Sequence, residues 1–306
     1  MLLPFPLVYS HAYDLNLGEH VFPSRKYGLI HDRLLASHTA DLDDFIAPTA
    51  IPIEDLLLVH EHTWIEKLRT GTLSLAEAMK LEIPFSEKTW TALLLMTGGS
   101  LHAAREALNH KIAINVGGGF HHAFAGHGEG FCAVHDFGVA IRRLQKDKAI
   151  ATAMVIDCDV HHGNGTASIF AGDQTVFTFS IHQLNNYPEV KPPSNLDVHL
   201  DDNVGDAEYL QKLGDAIIPA VKSFQPDLII YVAGADPYME DQLGGLLLTM
   251  DGLKKRDRLV YDLAWSNNKI PVATVLAGGY AFRTEDTVTI HCNTIRTAAT
   301  AYDSFL

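Results

Sequence analysis

The sequence predicts an α/β protein, a single domain over residues 1–306 with a mostly parallel multi-stranded sheet and helices on both faces. Three observations carry this reading. Short apolar runs, too brief for helices and rich in Val and Ile, recur along the chain, as strands buried on both faces require. Amphipathic or glycine-rich stretches separate them, which implies βαβ units. Polar residues collect just after the runs, where open α/β sheets bind their ligands.

In chain order the strand candidates are 56–60, 111–116, 151–156, 175–181, 228–234 and 272–277. Between the last of them, segment 206–224 sets Leu210, Leu213, Ile217 and Val221 at spacings of three and four, one apolar helix face. Segment 284–301 repeats the pattern with Val288, Cys292, Ile295 and Ala299. Five strand ends are polar: Gly117-Gly118-Gly119-Phe120-His121-His122, Asp157-Cys158-Asp159-Val160-His161-His162-Gly163-Asn164-Gly165, Ser180-Ile181-His182, Ala235-Asp236-Pro237 and Gly278-Gly279-Tyr280. They are expected to converge on one rim.

Composition bounds the function. Hydrophobic residues make up 47% and charged residues 20%, enough for a sizeable core and outside the disordered classes. Lys and Arg number 23 against 37 Asp and Glu, a net charge of −14. That balance disfavours direct nucleic-acid binding and attracts cationic partners, although an acidic surface also serves solubility alone. The three cysteines show no paired spacing, which points to a reducing, cytoplasmic setting. Residues 1–10 have two prolines and no basic region, so they do not read as a signal peptide. No run reaches the ~18 apolar residues of a membrane span.

A catalytic zinc needs about three protein ligands and an open position. Asp159 and His161 are two apart, so if strand geometry continues through them both side chains face one way. Asp236, from another strand end, offers a third donor, although a lone Asp there more often caps a turn. His121 and His122 follow three glycines. A phosphate-binding loop would also be glycine-rich, but its lysine and Ser/Thr are absent. A tandem pair can place one imidazole as general base and acid, with its neighbour oriented by a carboxylate. Tyr280 can donate to a developing oxyanion, or simply close a strand at the core rim.

These motifs resemble a known family. Gly-Gly-Gly-Phe-His-His-Ala at 117–123, Gly-Phe-Cys at 130–132 and Asp-Cys-Asp-Val-His-His-Gly-Asn-Gly at 157–165 are similar to those of the histone deacetylases and their bacterial relatives, the acetoin-utilisation proteins and acetylpolyamine amidohydrolases. The early His20-Val21-Phe22-Pro23 with Lys26-Tyr27, and Ala233-Gly234-Ala235-Asp236-Pro237, look most like the class IV branch. The resemblance implies the arginase/deacetylase fold and a zinc-dependent hydrolase that removes acetyl or longer acyl groups from lysine side chains or similar amines, with acetylpolyamines as the alternative substrate.

By the same resemblance, Asp159, His161 and Asp236 are the zinc ligands, with Fe2+ as a competing ion. His122 is the general base and acid, His121 its charge-stabilising companion, and Asp157 the carboxylate behind His121. Asp157 with Ser180, Ile181 and nearby main-chain carbonyls forms a structural K+ or Na+ site. Phe131 and Tyr187 wall the acyl tunnel, which Gly130 borders. Two departures stand out: Asn164 replaces the class I aspartate behind His122, and the class I rim aspartate has no equivalent. A binuclear manganese ureohydrolase would need further bridging carboxylates, including one where Gly234 stands, and a dead acyl-lysine reader would lack the ligands or Tyr280. His11, His20, His127 and His199 read as surface or core residues.

Overall fold

Eight parallel strands form one sheet in the computed structural model, which describes residues 2–304. They are β1 (Leu7–Val8), β2 (Phe45–Ile46), β3 (Ile112–Asn115), β4 (Ala153–Asp157), β5 (Val176–Gln183), β6 (Leu196–Leu200), β7 (Leu228–Val232) and β8 (Val272–Val275), in the order β2-β1-β3-β8-β7-β4-β5-β6. The central strands β3, β4, β7 and β8 are buried at every residue, as helices on both faces demand. Each buried Val or Ile contributes roughly 1.5–3 kcal/mol relative to exposure.

Ten α-helices complete the described residues: α1 (Lys26–Ala36), α2 (Ile53–Leu56), α3 (His62–Thr70), α4 (Leu75–Leu81), α5 (Glu87–His110), α6 (Asp136–Lys146), α7 (Asn164–Ile169), α8 (Asp206–Phe224), α9 (Met250–Ser266) and α10 (Thr284–Asp303). Helices α5 and α6 pack together on one face, and α1, α10, α9 and α8 on the other. The apolar periodicity of 206–224 coincides with α8, and that of 284–301 with α10. Among the described residues no helix is long and apolar enough to cross a membrane.

Register positions the site. Asn115 pairs with Val275, Val275 with Val232, and Val232 with Asp157. The four central strands therefore end level, and the glycine–histidine, Asp-x-His, Asp236 and Tyr280 segments all leave from one edge.

Three expectations need correction. Segment 56–60 is not a strand: Pro52 opens the single turn of α2, and Leu58, Val59 and His60 donate their N–H groups back to Asp55 and Leu56 in successive tight turns. Ser180 and His182 lie within β5, which runs on to Gln183. Strand geometry also stops at Asp157 rather than continuing through His161.

Candidate active site

The loop after β4 brings Asp159 and His161 together by a turn in place of strand alternation. The His161 N–H donates to Asp159 Oδ1 at 3.0 Å, and the same oxygen lies 3.0 Å from His161 Nδ1. Asp236, arriving from β7, accepts from the Val160 N–H at 2.9 Å and sets Oδ2 3.4 Å from His161 Nδ1. All three are buried, with one donor atom from each inside 4.8 Å. The Gly278 N–H donates to Asp159 Oδ2 at 3.0 Å, and a Cβ at Gly278 would strike both carboxylates.

The electrostatics of this cluster call for a cation. Asp236 Oδ2 is buried without a hydrogen-bond partner, an arrangement that costs about 1–3 kcal/mol if left so. Burial, then the neighbouring Asp159 carboxylate, push the Asp236 carboxyl up to about 7. Burial works against a charged His161 ring, but Asp159 and Asp236 outweigh it and raise the ring to about 10. Two oxygens and one nitrogen in a dry site are a donor set for a divalent transition metal.

The tandem histidines stand beside it. Their loop is fixed by the buried Asp136 carboxylate, which accepts from the N–H groups of Gly119 (3.0 Å) and Phe120 (2.8 Å). His121 Nδ1 lies 2.7 Å from Asp157 Oδ2, and His122 Nδ1 lies 2.7 Å from Asn164 Oδ1. Their environments separate the two rings. Burial opposes charge on His121, but Asp157 and Asp159 overcome it and hold the ring at about 9. Burial, with His121 and His161 nearby, keeps His122 well below the usual histidine value despite its Asn164 contact.

A cavity of about 170 Å³ reaches this group, lined by His122, His161, Tyr280, Gly130, Phe131, Tyr187, Leu243, Asn186 and Glu82. The Tyr280 N–H is held by Asp241 Oδ2 at 2.7 Å. Burial, then Asp159 and Asp236, keep its phenol far above the usual value and so protonated. Phe131 stacks on Phe22 at 5.9 Å, and the Tyr187 ring stands edge-on to His122 at 4.9 Å. At Gly130, with φ +52°, a Cβ would sit 2.9 Å from both His122 and Tyr187, so a side chain there would close the cavity. Ser180 pairs with Asp157 across β4 and β5 and lies 2.9 Å from His182 Nδ1; Ile181 is buried.

Sequence reasoning missed four supporting groups. Glu129 accepts from both Asn164 Nδ2 and the Tyr187 hydroxyl, the latter at 3.1 Å, and pairs with Lys80 at 2.6 Å. Burial opposes its ionisation, but His127, Lys80 and Asn164 hold the carboxyl at about 2. Asp136 anchors the glycine loop and Asp241 anchors Tyr280. Lys26, fully buried, donates to the Ala277 carbonyl at 2.7 Å. The only sequence signal is an ionisable residue in an apolar or glycine-rich setting.

A profile of the histone deacetylase domain matches residues 20–295. The chain belongs to the histone deacetylase family. It is 37% identical over 97% of its length to an uncharacterized protein of Picosynechococcus sp., of which 99% is covered. It is 31% identical to Histone deacetylase 2 of Arabidopsis thaliana over 90% of this chain and 74% of that protein. Acetoin utilization protein AcuC of Bacillus subtilis is 30% identical over 89% of this chain and 76% of its own. The all-parallel sheet between two helical layers is the arginase/deacetylase fold of this histone deacetylase family, and membership supports a deacetylase hydrolase.

Proposed function

We propose that the protein is a zinc-dependent deacylase that removes acetyl or longer acyl groups from lysine side chains in peptides. The observation that carries this is that one cavity is lined by a neutral imidazole at His122, a protonated phenol at Tyr280 and His161, whose ring belongs to the buried Asp159–His161–Asp236 donor set. The orphaned Asp236 Oδ2 supports the fit of an ion to those residues. Zinc held by Asp159, His161 and Asp236 would polarise the acyl carbonyl and bring the pKa of bound water from 15.7 toward roughly 7; Fe2+ can serve the same donors.

The residues of the chain supply the rest. His122, kept neutral at physiological pH, takes a proton from the attacking water and returns it to the leaving amine. His121, kept positive by Asp157, stabilises charge beside it. Tyr280 hydrogen-bonds the oxyanion through its phenolic O–H. Phe131 and Tyr187 flank the aliphatic stem of the substrate, and Gly130 leaves room between Tyr187 and His122. Asp157, Ser180 and Ile181 would hold a structural K+ or Na+ behind the catalytic loop.

A second reading is favoured by Glu82, which lies at the cavity wall, and by the net charge of −14. Both suit a cationic small substrate such as an acetylated polyamine. The test is acyl release by zinc-loaded protein from acetyl-lysine peptide, myristoyl-lysine peptide and acetylpolyamine, beside Asp159→Ala and a hydroxamate chelator. Peptide release abolished by both controls supports the deacylase and ranks the acyl chains. Release from the polyamine alone would move the assignment to the second reading, and release from none, by folded protein with bound zinc, would refute both.

A further inference from the structure

We infer that the chain carries a second transition-metal site, separate from the cavity, formed by His162, His182 and Asp197, with His199 hydrogen-bonded to His182 at its outer edge. His162 follows β4, His182 is on β5, and Asp197 and His199 alternate along β6. One donor atom from each of the first three lies within 4.8 Å of the others. His162 and His182 are fully buried, and Asp197 is half-buried.

The hydrogen bonding of the cluster is incomplete in a way that a metal would complete. Both ring nitrogens of His162 and the Oδ1 of Asp197 are buried without a hydrogen-bond partner. Yet His162 Nε2 and Asp197 Oδ1 lie only 3.3 Å apart, so the two face each other without bonding geometry. The edge of a tetrahedron with bonds of about 2.0–2.1 Å is about 3.3–3.4 Å, which matches that separation. His182 Nε2 lies 2.9 Å from His199 Nδ1, and the His162 and His182 rings meet edge to face at 4.6 Å.

His182 Nδ1 lies 2.9 Å from Ser180 Oγ; with Nδ1–H donating there, Nε2 presents its lone pair. The Ser194 N–H donates to Asp197 Oδ2 at 2.9 Å, which leaves Oδ1 to face His162. Imidazoles with one carboxylate select zinc, cobalt or nickel over alkali ions. The exposed His199 gives an entry path, and an ion there would clamp the edge strand β6 to the loop that carries His161.

The site is tested by metal content. Stripped full-length protein is loaded with Co2+ or with Zn2+ alone, dialysed, and assayed for bound metal in parent, Asp236→Asn, Asp197→Asn, His199→Ala and His182→Gln, with circular dichroism to confirm folding. Two equivalents are expected in the parent. Asp197→Asn and His182→Gln should each lose one, and Asp236→Asn the other. His199→Ala should weaken the outer site severalfold. Metal content unchanged by Asp197→Asn in folded protein would overturn the inference, as would loss of both equivalents on Asp236→Asn, which would mark one binuclear centre. A single equivalent that disappears with Asp197→Asn would leave this site standing while removing the zinc assignment of the cavity.

Discussion

Tyr280→Phe isolates one hydroxyl. The ring contacts Phe22 at 6.1 Å, Phe131 at 5.8 Å and His161 at 6.3 Å, and phenylalanine keeps all three. The backbone bond to Asp241 is equally untouched. What disappears is a single donor to the oxyanion, worth about 2.7–4 kcal/mol, or roughly a hundredfold to a thousandfold in rate. In zinc-loaded protein turning over acetyl-lysine peptide, kcat should fall by that range with KM and Tm nearly unchanged. A kcat within about fivefold of the parent, less than about 1 kcal/mol, would refute the role of the phenol. A matching loss of Tm would instead mark the hydroxyl as structural.

Three further outcomes are expected. Asn164→Asp places a carboxylate against Glu129, which now accepts from the Asn164 amide; it should cost about 1–3 kcal/mol in thermal unfolding, and Glu129→Gln in the same chain should recover most of it. Gly278→Ala drives a methyl group into Asp159 and Asp236, so binding at that site should weaken on the order of a hundredfold and about one of the two zinc equivalents expected in the parent should be lost, while circular dichroism stays native. The pH dependence of the stripped protein follows from Asp236 at about 7, where burial is the main cause, and from His121 at about 9 and His161 at about 10, where carboxylates overcome burial. Each is raised in the fold, so its stabilisation is complete below its unfolded value and is lost as pH rises through the folded one. The Tm gap between zinc-loaded and stripped protein should therefore widen from about pH 5 to 10, and a constant gap would contradict these shifts.

The sequence was most legible where burial is uniform. Strands β3, β4, β5, β7 and β8 show as Val- and Ile-rich runs because both faces are covered. β1 and β2 are two residues each, too short for any pattern. β6 is a half-exposed edge carrying Asp197 and His199, so it lacks an apolar run. Segment 56–60 misled because a continuous apolar stretch does not distinguish a strand from tight turns. In the site, motif spacing located the donor set and the histidine pair, but not the way Asp159 and His161 meet. Glu129, Asp136 and Asp241 were invisible, and Lys26 appeared in a motif without a role, because their partners lie 35, 17, 39 and 251 residues away; only the fold creates their contacts.

One buried cation never touches the donor set and still governs it. Arg256 of α9 donates through Nη1 to the carbonyls of Gly234 at 2.6 Å and Cys158 at 3.3 Å, and its other nitrogens rest on Asp257. Those carbonyls lie just ahead of Asp236 and Asp159 in the chain, so a single guanidinium ties the two ligand-bearing loops together from behind. The spacing of Asp159 and Asp236 is thus set in part by a side chain outside the site, so a change at Arg256 would be felt at both carboxylates at once.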